Sequence, residues 1–212
     1  MFDETGLINK CKQGDEASQK LLYEHYYGIM FNICIRYTRE FEEAKDLVHE
    51  GFYKIFYHLN KYKGKGSFEG WMKRIMLNSA VDFYKKKRKR KDLFSFIDDK
   101  INESQLEDMT TSWNEFLDNT SQDIKELKKE PLSLEMLHNA NLAQNELLET
   151  LKQIPDKYAI VFNLFCIEEI SHAEIARKLK ISEKTSRIRL MRARKYLQAK
   201  LHELCIKKIG VK

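Results

Sequence analysis

A chain of 212 residues suits one large domain or two small ones joined by a connector. With 42% hydrophobic residues it can build real cores, but no apolar run approaches the ~18–20 residues needed to span a bilayer. The start, Met1-Phe2-Asp3-Glu4-Thr5, lacks the basic-then-apolar form of a secretion signal. Cysteines 11, 34, 166 and 205 include no C-x-x-C pair and no zinc-ligand spacing. These features argue against membrane insertion, secretion and structural zinc, and point to the reducing cytoplasm.

The net charge of +6 hides strong segregation. Residues 61–91 carry +10, residues 92–150 carry −10 and residues 170–212 carry +10. Two basic blocks flanking an acidic middle are the footprint of a polyanion-binding chain, because each Lys or Arg beside a phosphate releases condensed counterions. The acidic middle is unsuited to that role and reads as a spacer.

In chain order, Leu21, Leu22, Tyr26, Ile29, Met30, Ile33 and Tyr37 recur at helical spacing. After a break near Thr38–Glu40, Phe41, Ala44, Leu47, Val48, Phe52, Ile55, Phe56 and Leu59 do the same. The helix over 42–59 mixes acids with apolar groups through Ala44, Asp46, Leu47, His49, Glu50 and Tyr53, a surface that repels DNA and suits a protein partner. The stretch Tyr62–Ser67 reads as a loop, since two glycines among lysines destabilise any helix by about 1 kcal/mol each. Helix resumes through Trp71, Ile75, Met76 and Ala80 and runs into seven consecutive basic residues, Lys85–Lys91. Residues 61–91 set the rings of Tyr62, Phe68, Trp71, Phe83 and Tyr84 among cations. Single-stranded nucleic acid needs this combination: bases stack for ~1–3 kcal/mol each while lysines follow the backbone. A base displaced into that loop can be hydrogen-bonded by Asn78 or Ser67. Phe68 and Trp71 also stand at core spacing, so packing and base-binding readings apply to both; Phe83 is assigned to the core.

Residues 92–146 are rich in Asp, Glu, Ser, Asn and Thr, too poor in apolar groups for a core of their own, and read as a largely irregular acidic linker with helix near 134–148. Periodicity returns at Leu147, Leu148, Leu151 and Ile154, with Pro155 placed to open a helix carrying Tyr158, Val161, Phe162 and Phe165 on one face. Ser171-His172-Ala173-Glu174 fits a capping box, and Ser182 can cap a following helix whose inner face is Ser186, Leu190, Ala193, Leu197, Leu201 and Leu204. A short helix, a tight turn and a longer helix make a helix-turn-helix. The wheel turns Lys184, Thr185, Ile188, Arg189, Met191, Arg192 and Lys195 away from the core, with Arg187 and Arg194 on its flank. These groups suit phosphate clamping and guanine recognition in a major groove. Lys180 stands where such turns favour glycine, at a cost of ~1–2 kcal/mol if left-handed. The fold expected is all-α: two small helical domains, 1–91 and 147–212, joined by a linker over 92–146.

Glu43-Ala44-Lys45-Asp46-Leu47-Val48-His49-Glu50-Gly51-Phe52, followed by Tyr62-Lys63-Gly64 and Phe68-Glu69-Gly70-Trp71 through Asp82, resembles conserved region 2 of the extracytoplasmic-function (group 4) sigma factors. Ile154-Pro155, Ile170-Ser171, Glu174-Ile175-Ala176, Ile181-Ser182 and Arg189-Leu190 through Leu197 are similar to their region 4. Together the resemblance covers residues 20–91 and 147–202. It implies a non-enzymatic subunit, without cofactor, metal or catalytic residues, that binds core RNA polymerase and directs it to promoter DNA. It implies docking through Ala44, Asp46, Leu47, His49, Glu50 and Tyr53. Tyr62, Lys63, Lys65, Ser67, Phe68, Trp71, Arg74 and Asn78 would then hold the melted −10 strand, and Lys184, Thr185, Arg187, Ile188, Arg189, Met191 and Arg192 would meet the −35 duplex. An anti-sigma protein is a further partner of such chains. The sequence departs from the family at His49 (usually glutamine), Lys180 (glycine), Ser186 (a β-branched apolar residue) and Ile188 (serine). Two alternatives compete: a free-standing helix-turn-helix regulator, and a nucleic-acid-processing enzyme. The six histidines lack H-x-x-x-H or H-E-x-x-H spacing, and no glycine-rich phosphate loop is present, so the enzyme is the weaker.

Overall fold

A computed structural model describes residues 3–94 and 140–209. Among them every regular element is helical. Residue contacts divide the chain into two units, Met1–Lys86 and Lys87–Lys212. Most of the acidic connector expected over 92–146, including Trp113 and Phe116, lies outside the described residues.

In the first unit, α1 (Glu4–Lys12) begins at Asp3, whose carboxylate accepts a hydrogen bond from the Gly6 N–H at 2.9 Å. Asp15 starts α2 (Glu16–Cys34) in the same way, accepting from the Ser18 N–H at 2.8 Å. Each bond satisfies one of the N–H groups that a helix start leaves without an internal partner. Then come α3 (Phe41–His58), a 3₁₀ turn (Leu59–Lys61) and α4 (Phe68–Phe94). The core takes Leu22, Tyr26, Met30 and Ile33 from α2, Ala44, Leu47, Val48, Phe52 and Ile55 from α3, and Phe68, Met72, Met76 and Ala80 from α4. Helix α1 escaped the periodicity reading because only Ile8 and Cys11 are buried in it, too few to make a stripe. Leu21 and Phe41, read as members of the inner sets, are 56% and 53% exposed; Leu22 and Ala44 hold the inward positions instead. Helices α3 and α4 meet at Gly51, where an added Cβ would lie 2.3 Å from Met76 Sδ. Burial pushes the Cys34 thiol up to about 12, which makes it a packing group rather than a nucleophile.

In the second unit, α5 (Gln144–Gln153) and α6 (Asp156–Phe162) lead into a π-helical turn (Asn163–Ile167), then α7 (His172–Leu179) and α8 (Glu183–Ile209). Pro155 is the residue before α6 rather than its first helical one. The wider π turn rotates the buried set to Ile160, Val161, Asn163 and Leu164, leaving Tyr158, Phe162 and Phe165 half-buried. Ser171 Oγ accepts from the Glu174 N–H at 3.3 Å, and Ser182 Oγ from the Thr185 N–H at 3.0 Å, so both helices of the motif are capped. Between them Lys180 is left-handed (φ 56°, ψ 50°), and the Ala176 carbonyl accepts from the N–H groups of both Lys180 and Ile181. The inner face of α8 starts at Ser186, Leu190 and Ala193 and then drifts. His202 and Cys205 are buried near its end, while Leu197, Leu201 and Leu204 are half-buried. There Lys208 Nζ lies 2.6 Å from Glu146, whose carboxylate also accepts from the Ala143 N–H at 2.8 Å, tying the end of α8 to the start of α5. The Lys208 ammonium holds the Glu146 carboxyl below the usual range.

Glycine carries no Cβ penalty at the left-handed turn, so Lys180→Gly is expected to stabilise the second unit by ~0.5–1 kcal/mol. Thermal unfolding of the full chain measures this; an unchanged or lower midpoint contradicts the turn geometry.

Candidate nucleic-acid interface

The loop between the 3₁₀ turn and α4 is built around rings. Phe68 is fully buried, edge-on to Tyr26 (centroids 5.9 Å apart) and to Tyr62 (5.1 Å). One helical turn later Trp71 stacks on Phe68 at 5.7 Å and 21° and tilts against Tyr62 at 5.4 Å, yet its side chain stays half-exposed. The Tyr62 hydroxyl donates to the Gly66 carbonyl at 2.8 Å, closing the loop on itself. Gly64 and Gly66 adopt φ of +71° and +81°, which only glycine takes without strain. Lys63, Lys65 and Ser67 are exposed, and Ser67 Oγ accepts from the Gly70 N–H at 3.1 Å, capping α4. Along α4, Trp71, Arg74 and Asn78 share one face by helical spacing, and Arg74 and Asn78 are exposed. Seven of the eight residues expected at a base-binding site are therefore wholly or partly accessible. Phe68 is not, and supports the site from below.

Helix α3 presents the second candidate surface. Ala44 and Leu47, expected to dock a partner, are 0% and 1% exposed, so they position the face without forming it. Its outer surface carries exposed Asp46, His49 and Tyr53, and the stacked pair Tyr53–Tyr57 (70% and 72% exposed, centroids 6.3 Å apart). Tyr57 was missed in the sequence, although its i, i+4 relation to Tyr53 was there to see. Glu50 is half-buried between Lys54 (2.8 Å) and Lys86 (3.6 Å), and the hydrogen bond from Lys54 holds its carboxyl below the usual range.

On α8, Lys184, Arg187 and Met191 are exposed, while Thr185, Ile188, Arg189 and Arg192 are half-buried. The wheel turns Arg192 fully outward, but its guanidinium donates to the Tyr158 hydroxyl at 3.2 Å and lies 5.9 Å from that ring. Arg194 lies 6.0 Å from the Phe165 ring, so cations of α8 rest on aromatic groups of the preceding segment. Arg189 Nη1 is out of solvent contact and lacks a hydrogen-bond partner. The unusual Ser186 is fully buried and satisfied: its hydroxyl is 2.8 Å from His172 Nδ1, and the His172 ring stacks on Phe165 at 4.3 Å. A buried hydroxyl without such a partner costs ~1–3 kcal/mol, so His172 is what makes serine tolerable there.

The family model for Sigma-70 region 2 matches residues 22–90, and that for Sigma-70, region 4 matches residues 144–197. The chain is 25% identical over 197 residues to the ECF RNA polymerase sigma factor SigW of Bacillus subtilis, covering 93% of this chain and 96% of that protein. It is 24% identical over 200 residues to the RNA polymerase sigma-H factor of Pseudomonas aeruginosa, covering 93% of each. Against the ECF RNA polymerase sigma-E factor of Haemophilus influenzae it is 22% identical over 201 residues, covering 95% and 96%. The solved structure of CnrH in complex with the cytosolic domain of CnrY aligns with 91% of this chain and 93% of that one at 17% identity and a TM-score of 0.37, too low to bear on the reading of this chain.

Burial, with Arg187 nearby, holds His172 below its ordinary 6.5. The unfolded chain therefore takes up this proton first, and stability falls as pH drops from about 6.5 to the lower folded value. Melting the full chain between pH 8 and pH 5 should show a loss that His172→Gln abolishes; equal pH dependence in both proteins contradicts the assignment.

Proposed function

The chain belongs to the extracytoplasmic-function sigma-70 family, and we propose that residues 1–91 dock core RNA polymerase and hold the melted −10 strand while residues 147–212 read the −35 duplex. As a sigma factor it binds RNA polymerase and recognises promoters, which sets aside the free-standing regulator. Sigma factors are transcription initiation factors; catalysis here is left to the polymerase, with no cofactor or metal of this chain's own. Residues 92–146 tether the two units, and their negative charge keeps the tether off the phosphates that both basic blocks seek.

One observation carries the −10 assignment: Trp71 is half-exposed between a buried Phe68 and a hydrogen-bonded Tyr62, next to Lys63 and Lys65. An anchored ring beside lysines is the arrangement on which an unpaired base stacks while its phosphates are neutralised. Ser67, through its hydroxyl proton, and Asn78 then meet the base edge, and Arg74 meets the backbone. On α8, Lys184, Thr185 and Arg187 at the capped end approach phosphates, and Ile188, Arg189, Met191 and Arg192 lie toward the bases of the major groove.

Docking falls to Asp46, His49, Glu50 and Tyr53 above Ala44 and Leu47, and exposed Tyr57 extends the same face. An aromatic and acidic patch suits a protein partner with basic and apolar groups. An inhibitor of the anti-sigma class, the further partner in this reading, blocks docking by covering that patch. The site of action is the cytoplasm, where polymerase and chromosome meet; no described helix is long and apolar enough to cross a membrane.

The test is reconstitution with core RNA polymerase on a promoter selected by the wild-type holoenzyme from a random-sequence library. Trp71→Ala is expected to lower duplex opening about 5- to 150-fold, the loss of ~1–3 kcal/mol of base stacking, with polymerase affinity unchanged. Opening that survives Trp71→Ala intact contradicts the base-capture assignment.

A further inference from the structure

We propose that Lys12, at the end of α1 and outside both family-matched segments, is a positioning residue for the loop that captures the −10 strand; this rests on the loop reading above. Lys12 Nζ donates to the Tyr62 carbonyl at 2.9 Å across fifty positions of sequence and lies 5.7 Å from the Tyr62 ring centroid. Its side chain is half-buried, where a charge-assisted hydrogen bond is screened less than at a free surface.

The root of Lys12 is itself fixed. Cys11 beside it is buried, and the Cys11 carbonyl accepts from the Gln19 side-chain amide at 3.3 Å, so the last turn of α1 is held on α2. From that point a chain of bonds runs outward: Lys12 to the Tyr62 carbonyl, and the Tyr62 hydroxyl to the Gly66 carbonyl. Both ends of the loop are thereby tied through one tyrosine. Between them Gly64 and Gly66 have positive φ, and a Cβ at either would meet nothing within 4 Å. The loop tip thus has no packing to hold it, and its shape depends on the two hydrogen bonds at Tyr62. Without Lys12 the Tyr62 ring keeps its place against Phe68 and Trp71, but the backbone that sets Lys63 and Lys65 beside them is released. Capture of an unpaired strand then bears the entropy of ordering the loop, while functions elsewhere in the chain do not.

The experiment uses full-length protein with core RNA polymerase. Its probe is the library-selected promoter, in fully paired form and with the opened bases mismatched so that they are already unpaired. Lys12→Met keeps the length of the stem and removes the donor. It is expected to weaken capture of the mismatched probe about tenfold, the size of one lost charge-assisted hydrogen bond, and to speed amide hydrogen exchange over residues 62–67. Polymerase affinity and binding to an isolated −35 duplex should not change, and Lys12→Arg should restore most of the capture. If Lys12→Met alters neither exchange nor capture while Trp71→Ala abolishes capture, Lys12 has no positioning role and the loop reading stands. If Trp71→Ala also leaves capture intact, the loop reading fails and the Lys12 role with it. A variant that loses polymerase affinity and thermal stability together with capture, and is not restored by Lys12→Arg, shows a merely structural lysine and overturns the proposal.

Discussion

Phe68 is fully buried and Trp71, one turn later on the same helix, is half-exposed; the N-terminal surface depends on that difference. The loop before them contains two glycines with positive φ, and ordering each costs about 1 kcal/mol more than ordering alanine. Such a segment has no shape of its own. Phe68, wedged against Tyr26 and Tyr62, converts burial into a fixed platform, and Trp71 lies on top of it. The same ring cluster thus serves the core below and the ligand above. Packing and base binding, which compete as readings of Phe68 and Trp71 in the sequence, are divided between the two residues.

The second unit meets a different constraint, the placement of many like charges on one helix. Its solution is to lean guanidinium groups on aromatic rings, Arg192 on Tyr158 and Arg194 on Phe165, so that repulsion between neighbours is offset by cation–π contact. The capped turn holds that helix at a fixed angle despite a left-handed lysine, and the His172–Ser186 bond fills the place of an apolar contact. The departures from the family pattern at Lys180 and Ser186 are thus local exchanges of one interaction for another within an intact motif.

Much of this was legible in the residues. The inward stripes of α2, α3 and α4 follow from 3.6-residue spacing, and Ser171 and Ser182 mark helix starts because their hydroxyls accept backbone N–H groups that nothing else can satisfy. What escaped has physical causes. Helix α1 buries only two residues, so it has no periodic signature, and its Lys12 acts across fifty positions that no local pattern connects. The π turn at Asn163–Ile167 adds a residue to the helical path and rotates every face after it, which displaced the expected Tyr158–Phe162–Phe165 stripe. Ala44 and Leu47 carry the docking motif yet lie inside, because a motif marks the residues that shape a surface as well as those that form it.

A promoter-binding subunit of this kind needs one surface that is rigid before it meets a strand and another that reads an intact duplex, and the chain builds each from a separate core. The most direct measurement of the central claim places 2-aminopurine, one position at a time, along the non-template strand of the opened promoter and records its fluorescence in the holoenzyme. The account predicts strong quenching at one position by stacking on Trp71, with neighbouring positions bright. Uniform fluorescence along the opened strand, with Trp71 and Tyr62–Ser67 buried against polymerase, would contradict it.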